Sequence, residues 1–197
     1  MFNIFGVFML EIEQYAQKNN IPIMQKEGIE FLKKFIKENN IKNILEIGTA
    51  IGYSAINMAL VDNDINVITI ERDVERYKTA IKNVDKFKLN NRIKLINDDA
   101  FNVELDNNFD LIFIDAAKAQ NIKFFNKFEK NLLCNKYIIT DNLNFHGLVN
   151  SNEVLSKNLR QLIKKIKNYI VFLENNNNFE TYFLNVGDGI SVSKKIR

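Results

Sequence analysis

Cysteine is almost missing from this chain of 197 residues. The lone Cys134 has no partner for an internal disulfide, provides no cysteine cluster for zinc, and suits a reducing cytoplasm. Histidine is equally scarce. With His146 alone, any mechanism that needs two imidazoles is excluded. Glycine occurs 7 times, and nowhere in the G-x-G-x-x-G spacing of dinucleotide binders, which disfavours a nicotinamide dehydrogenase. One proline and no tryptophan accompany abundant asparagine and lysine, including the run Asn175 to Asn178, which reads as compositional drift. Neither charge sign dominates. A net charge of +3 permits a nucleic-acid partner without demanding one. The apolar start, Met1 to Leu10, is too short to span a bilayer and lacks the basic flank and small-residue cleavage site of a signal peptide. It is expected to be a packing or dimerisation segment of a cytoplasmic homodimer that does not engage a membrane.

What is present is an alternation of strand-like and helix-like stretches. Helical spacing runs from Leu10 to Tyr15 and from Ile29 to Ile36. Apolar strands are predicted at Asn43–Ile47, Val67–Ile70, Ile93–Ile96, Leu111–Ile114 and Tyr137–Thr140, with helices between them near Tyr53–Val61, Val74–Leu89 and Asn121–Leu132. Strands apolar on both faces belong to a sheet covered on both sides, and the alternation is the βαβ pattern of a parallel sheet. Leu155, Leu159, Leu162, Ile163, Ile166, Ile170 and Leu173 then mark one face of a long helix. Gly187-Asp188-Gly189 separates Glu180–Val186 from Ile190–Ser193, which predicts an antiparallel C-terminal hairpin. The expectation is an α/β, Rossmann-like single domain over residues 1–197. It divides into a helical segment over 1–40 and a core over 41–197, with a mostly parallel seven-stranded sheet and helices on both faces.

Leu-Glu-Ile-Gly-Thr-Ala-Ile-Gly-Tyr-Ser (45–54) carries the first strand into a turn with glycines at 48 and 52 and then into a helix. Ligands of such sheets sit beyond the carboxyl ends of the strands, and Gly48 lets the backbone come close to one. Glu46 just before the loop suits a cationic ligand better than a phosphate. S-adenosylmethionine, with an ammonium and a sulfonium, fits that description. Alternatively the glycines serve only the geometry of the turn.

Acidic residues recur at the strand ends. Glu71 follows the second strand about 20 residues past the glycine loop, where a carboxylate can bond both ribose hydroxyls of an adenosine. Arg72 and Asp73 beside it keep open a solvated loop charge. Asp98-Asp99-Ala100 follows the third strand and either reads an adenine edge or caps a helix. Asp115 closes the fourth strand, and Asp141 with Asn142 closes the fifth. Three oxygen donors without His or Cys suit a hard cation such as Mg²⁺, useful when the acceptor is an oxygen that must be deprotonated; turn-forming Asp and Asn are the plainer alternative. Lys118, three residues past Asp115, is a candidate general base or else a surface lysine.

Taken together, Ile-Pro-Ile-Met (21–24), residues 44–56, Ile-Phe-Ile-Asp-Ala-Ala-Lys (112–118), Ile-Ile-Thr-Asp-Asn (138–142), Gly-Leu-Val (147–149) and Val-Gly-Asp-Gly (186–189) resemble the catechol-type, metal-dependent O-methyltransferases of the class I S-adenosylmethionine fold. The likeness covers nearly all of the chain after Glu11 and is nearest to the bacterial branch that methylates tRNA 5-hydroxyuridine. The resemblance implies that Met24, Ser54, Glu71, Asp99, Ala100 and Asp115 contact the cofactor, joining Glu46 and Gly48 of the loop. It implies Mg²⁺ on Asp115, Asp141 and Asn142, and catalysis by Lys118 with Asp115. Three departures stand out: a shorter region before Glu11, Asp98 where a glycine is common, and His146 where the tRNA branch would carry lysine.

The function so implied is methylation of the 5-hydroxyl of a tRNA wobble uridine to give 5-methoxyuridine. Arg160, Lys164, Lys165 and Lys167 on the long helix, and Lys194, Lys195 and Arg197 at the C-terminus, are candidate phosphate contacts or simply solvated faces. The alternatives are a small-molecule catechol-like or caffeoyl-CoA-like O-methyltransferase and, in another class, a non-catalytic module that binds the cofactor and RNA.

Overall fold

The structure, a computed structural model, describes residues 4–144, 147–150 and 156–197. His146 and Leu155 lie outside the described residues. Five strands with three helices between them follow in chain order: β1 (Asn43–Ile47), α3 (Tyr53–Ala59), β2 (Asn66–Glu71), α4 (Val74–Lys86), β3 (Ile93–Asn97), β4 (Phe109–Ile114), α5 (Asn121–Phe128) and β5 (Leu132–Thr140). Two helices precede them, α1 (Ile4–Lys18) and α2 (Lys26–Glu38), and α6 (Lys157–Glu174), β6 (Phe179–Leu184) and β7 (Ile190–Lys195) follow. The seven strands form one sheet in the order β3-β2-β1-β4-β5-β7-β6. β1 to β5 are mutually parallel, while β7 runs antiparallel to β5 and β6 antiparallel to β7.

Alternation along the strands divides the core in two. Ile44, Leu111 and Phe113 face α1, α2 and α3, where they pack with Ile12, Leu32, Ile36 and Ile56. Leu45, Ile112 and Ile114 face α5 and α6 and meet Phe125, Phe128, Ile166 and Tyr169. Asp110 ties the amino ends of the central strands together. Its Oδ2 accepts the backbone N–H of Lys42 and Asn43 at 3.0 and 2.9 Å, and its Oδ1 pairs with Lys136 Nζ at 2.9 Å.

Several boundaries differ from the sequence pattern. The apolar start is helical from Ile4 onward, because Phe5 stacks on Phe87 at 5.4 Å and Phe8 meets the same ring edge-on at 5.8 Å. The predicted helix Asn121–Leu132 stops at Phe128, passes through a single 3₁₀ turn, Glu129–Asn131, and gives up Leu132 to the sheet. There Leu132 pairs with Phe109, and the register then jumps so that Leu111 pairs with Tyr137. Asn135 takes a left-handed backbone (φ +61) inside that irregular stretch. Asp73, beside Glu71, caps α4 by accepting the N–H of Glu75 and Arg76, which separates its role from that of its neighbour.

Candidate functional site

The strand order reverses between β1 and β4, and in open α/β sheets such a switch point opens a crevice beyond the strand ends. A cleft of about 560 Å³ lies there. Its floor continues the sheet: Gly48 N–H donates to Ile70 O at 3.0 Å, and Asp115 N–H donates to Ile47 O at 2.9 Å. Gly48 has φ +104, and a Cβ on it would stand 2.4 Å from the Asp115 carbonyl oxygen. Only glycine permits this approach, so the loop after β1 and the end of β4 share one wall. From α4, Asn83 Nδ2 steadies the loop by donating to Ile51 O at 2.8 Å.

Met24, Gly48, Ser54, Glu71, Asp99, Ala100, Asp115, Lys118 and Asn142 all line the cleft. Glu71 is nearly buried, and its two carboxylate oxygens accept the N–H of Ala50 and of Asp73, each at 2.8 Å. A carboxylate has further lone pairs on each oxygen, which remain for hydroxyl donors. Asp98 and Asp99 build a local turn instead of capping a helix. Asp99 Oδ1 accepts Phe101 N–H at 2.9 Å, and Asp98 Oδ1 accepts Asn102 Nδ2 at 2.9 Å. On the near side Met24 lies against Gly28, where an added Cβ would stand 2.8 Å from its Cε.

Glu46 corrects the expectation that it faces the ligand. It is 0% exposed and lies beneath the loop, not in the cleft wall. It is an interior strand residue, so its side chain stands perpendicular to the sheet and cannot reach beyond the strand tip. Its carboxyl is bonded by the Ser54 hydroxyl and, at 2.5 Å, by the Thr69 hydroxyl, which itself meets Thr49 Oγ1. Burial pushes that carboxyl up to about 7 against the lowering effect of the two hydroxyls; the Asp115 and Glu71 carboxylates push it the same way. Ser54 therefore lines the cleft while its hydroxyl is engaged from below.

At the other end, Lys118 Nζ pairs with Asp115 Oδ1 at 2.6 Å, with both side chains largely shielded. Asp141 is 2% exposed and lies behind the cleft surface. Burial first, then the neighbouring Asp115 carboxylate, holds its carboxyl well above the usual carboxylate range. Asn142 takes a left-handed backbone (φ +63), and its Nδ2 points to Asp188 Oδ2 at 3.4 Å. Among the described residues no three His, Cys, Asp or Glu side chains converge as a metal cluster, so a cation here needs the Asn142 amide as a donor beside the two carboxyls. An all-oxygen set of two carboxyls and an amide, with one carboxyl buried beside an anionic neighbour, fits a hard divalent cation, whose charge would offset that repulsion.

Other cleft residues carried no sequence signal of their own: Tyr53, Arg72, Arg76, Phe101, Gln120 and Phe124. Phe101 and Phe124 stack at 4.8 Å and form an apolar wall. Asp188, also in the cleft lining, stood in plain view in the Gly-Asp-Gly turn but was legible only as a turn. No described helix is long and apolar enough to cross a membrane.

A family model described as O-methyltransferase matches residues 6–196. A caffeoyl-CoA O-methyltransferase of Populus kitakamiensis is 25% identical over 194 residues, covering 93% of this chain and 82% of that protein. A catechol O-methyltransferase of Niastella koreensis is 33% identical over 112 residues, covering 53% of this chain and 50% of its own. Among solved structures, a Staphylococcus aureus protein described as a candidate caffeoyl-CoA O-methyltransferase superposes with a TM-score of 0.90 at 39% identity, covering 95% of this chain and 91% of the other. A Bacillus cereus O-methyltransferase in complex with S-adenosylhomocysteine gives a TM-score of 0.82 at 25% identity, covering 96% of this chain and 90% of that one.

Proposed function

Because the chain belongs to the O-methyltransferase family and is an S-adenosylmethionine-dependent enzyme, we propose that it methylates an oxygen of a small catechol-like or caffeoyl-CoA-like acceptor with help from a divalent cation. The observation that carries this reading is the oxygen-donor set in which Asp115 and Asn142 line the same cleft as Lys118 and Glu71, with Asp141 buried beside Asp115 behind the cleft surface. Glu71 takes the ribose hydroxyls of the methyl donor, with Met24, Ser54, Asp99 and Ala100 along its length. Asp115, Asp141 and Asn142 hold Mg²⁺. When bound, the cation supplies Lewis acidity toward the acceptor hydroxyl and fixes its direction. With Asp115 engaged by the cation, Lys118 would act as the neutral amine, having given up its own proton to solvent, and would take the hydroxyl proton at Nζ. The cleft then orients the acceptor oxygen toward the methyl group, and this positioning accounts for much of the acceleration.

A second reading keeps the same chemistry but takes tRNA carrying 5-hydroxyuridine at the wobble position as acceptor. One observation favours it. Arg160, Lys164, Lys165 and Lys167 are exposed on α6 without an acidic partner among the described residues, and α6 packs against the turn that carries Lys118. Such a face would contact phosphates.

The test offers the purified protein both acceptors, with S-adenosylmethionine and Mg²⁺, and with excess chelator as control. Catechol methylation that chelator abolishes is the expected result. Methylation of the tRNA alone would promote the second reading, and full activity in chelator would remove the metal from both.

A further inference from the structure

The turn Gly187-Asp188-Gly189 joins β6 to β7, 46 residues beyond Asn142, yet its aspartate faces the cleft. Asp188 is 4% exposed. The turn is fastened to the loop after β5 by two backbone bonds: Asn144 N–H donates to Asp188 O at 2.8 Å, and Leu143 N–H donates to Gly189 O at 2.9 Å. The approach is so close that a Cβ on Gly189 would stand 2.7 Å from Asn144 Cγ. Gly187 on the other side lies against Gly28 and Gln25. The backbone at Asp188 is thus fixed, and its Oδ2 lies 3.4 Å from Asn142 Nδ2.

An amide has two chemically opposite ends, and a left-handed asparagine at a strand end has no backbone-imposed reason to present one over the other. A fixed carboxylate beside Nδ2 decides the matter, because it accepts from an N–H and repels a carbonyl oxygen. We propose that Asp188 is a positioning residue: by accepting from Asn142 Nδ2 it turns the amide so that Oδ1 is presented as the third oxygen donor beside Asp115 and Asp141. Partners of metal ligands commonly fix their orientation in this way, and losing one weakens metal affinity 10–100-fold. In this role Asp188 acts through Asn142.

This inference rests on the divalent-cation reading, so the experiment reports on both. Mn²⁺ alone is titrated into the full chain and the free aqua ion is followed by electron paramagnetic resonance, with S-adenosylhomocysteine calorimetry as a check that the other end of the cleft is intact. Asp188→Ala should weaken Mn²⁺ binding about 10-fold or more, with homologue affinity unchanged. Asp188→Asn retains a carbonyl oxygen that can accept from Asn142 Nδ2, so it should recover most of that loss. Wild-type Mn²⁺ affinity in folded Asp188→Ala would overturn the proposal. So would Asp188→Asn as damaging as Asp188→Ala, because that pattern belongs to a direct ligand. If the wild type binds no Mn²⁺, or binds it undiminished in Asp141→Ala, the cation reading fails and this inference fails with it.

Discussion

At the β1–β2 end of the cleft, Glu71, Ser54 and Thr49 already have partners inside the protein, whereas at the β4–β5 end carboxyls crowd one another around a single lysine. The first end is a finished hydrogen-bonded frame in which Glu71 is fixed by two backbone N–H groups and has only spare lone pairs to offer. The second end is electrostatically unresolved. Burial, then the Asp115 carboxylate, raises the Asp141 carboxyl well above the usual carboxylate range, and Lys118 pairs with Asp115. The contrast fits the two ligands proposed for these ends. Neutral hydroxyls of a nucleoside need directed acceptors that do not move. A metal and an acceptor hydroxyl need charge that rearranges when they arrive. Pre-bonding organises the first end; stored repulsion organises the second.

The largest effect should come from breaking the second end. Lys118→Ala removes the proposed base and should lower kcat by about 10²–10⁴-fold, with donor affinity unchanged by calorimetry. A proportionate loss of donor affinity would show that the two ends are not separable. Glu46→Gln tests the frame from below. The Glu46 carboxyl is protonated more readily in the fold than in the unfolded chain, from an ordinary 4.5 up to about 7. Its contribution to stability is therefore fully present below pH 4.5, and it falls as pH rises to about 7. The fall is about 3 kcal/mol at most from this one group. Urea denaturation across that range should show a shallower decline in Glu46→Gln than in the wild type. Asp141 titrates in the same sense and leaves a remainder in both.

Glu71→Ala comes next, with donor binding weakened by about 1.5–3 kcal/mol and metal affinity unaffected. Unchanged binding of S-adenosylhomocysteine in that variant would remove the ribose role. The smallest effect is expected for Lys164, Lys165 and Lys167 replaced together by Ala. Turnover of a catechol should stay within about two-fold, since an exposed helix face away from the chemistry rarely matters more. If tRNA binds, the same variant should flatten its salt dependence.

These comparisons also show why some residues announced themselves in the sequence and others did not. Gly48, Glu71, Asp115 and Asn142 were legible because each follows an apolar strand, and the parallel sheet delivers every such position to one edge. Glu46 misled for the same reason in reverse. It sits inside β1, where alternation points it across the sheet toward α3, so proximity to the loop in sequence did not mean a place in the cleft wall. The alternation itself held the clue: Ile44 and Glu46 share a face, and Ile44 is core. Asp188 could not be placed from sequence at all. Its nearness to Asn142 exists because β7 inserts between β5 and β6, a pairing across 46 residues that no local pattern encodes. The start of β5 was missed because Leu132 joins the sheet before an irregular stretch that no period describes.

The contact between Gly28 and Met24 carries a practical corollary. Residue 28 is not among the cleft residues, yet its missing side chain is the space that the Met24 methyl end occupies. The neighbour in question is a flexible thioether, which yields more readily than backbone would. Adding a single methyl on α2 would displace the Met24 side chain, a proposed contact of the methyl donor, from a position outside the cleft lining. Gly28 is therefore a remote adjustment screw: Gly28→Ala would shift the Met24 side chain and Met24→Ala would remove it, and each should change how the chamber admits bulky analogues of the methyl donor.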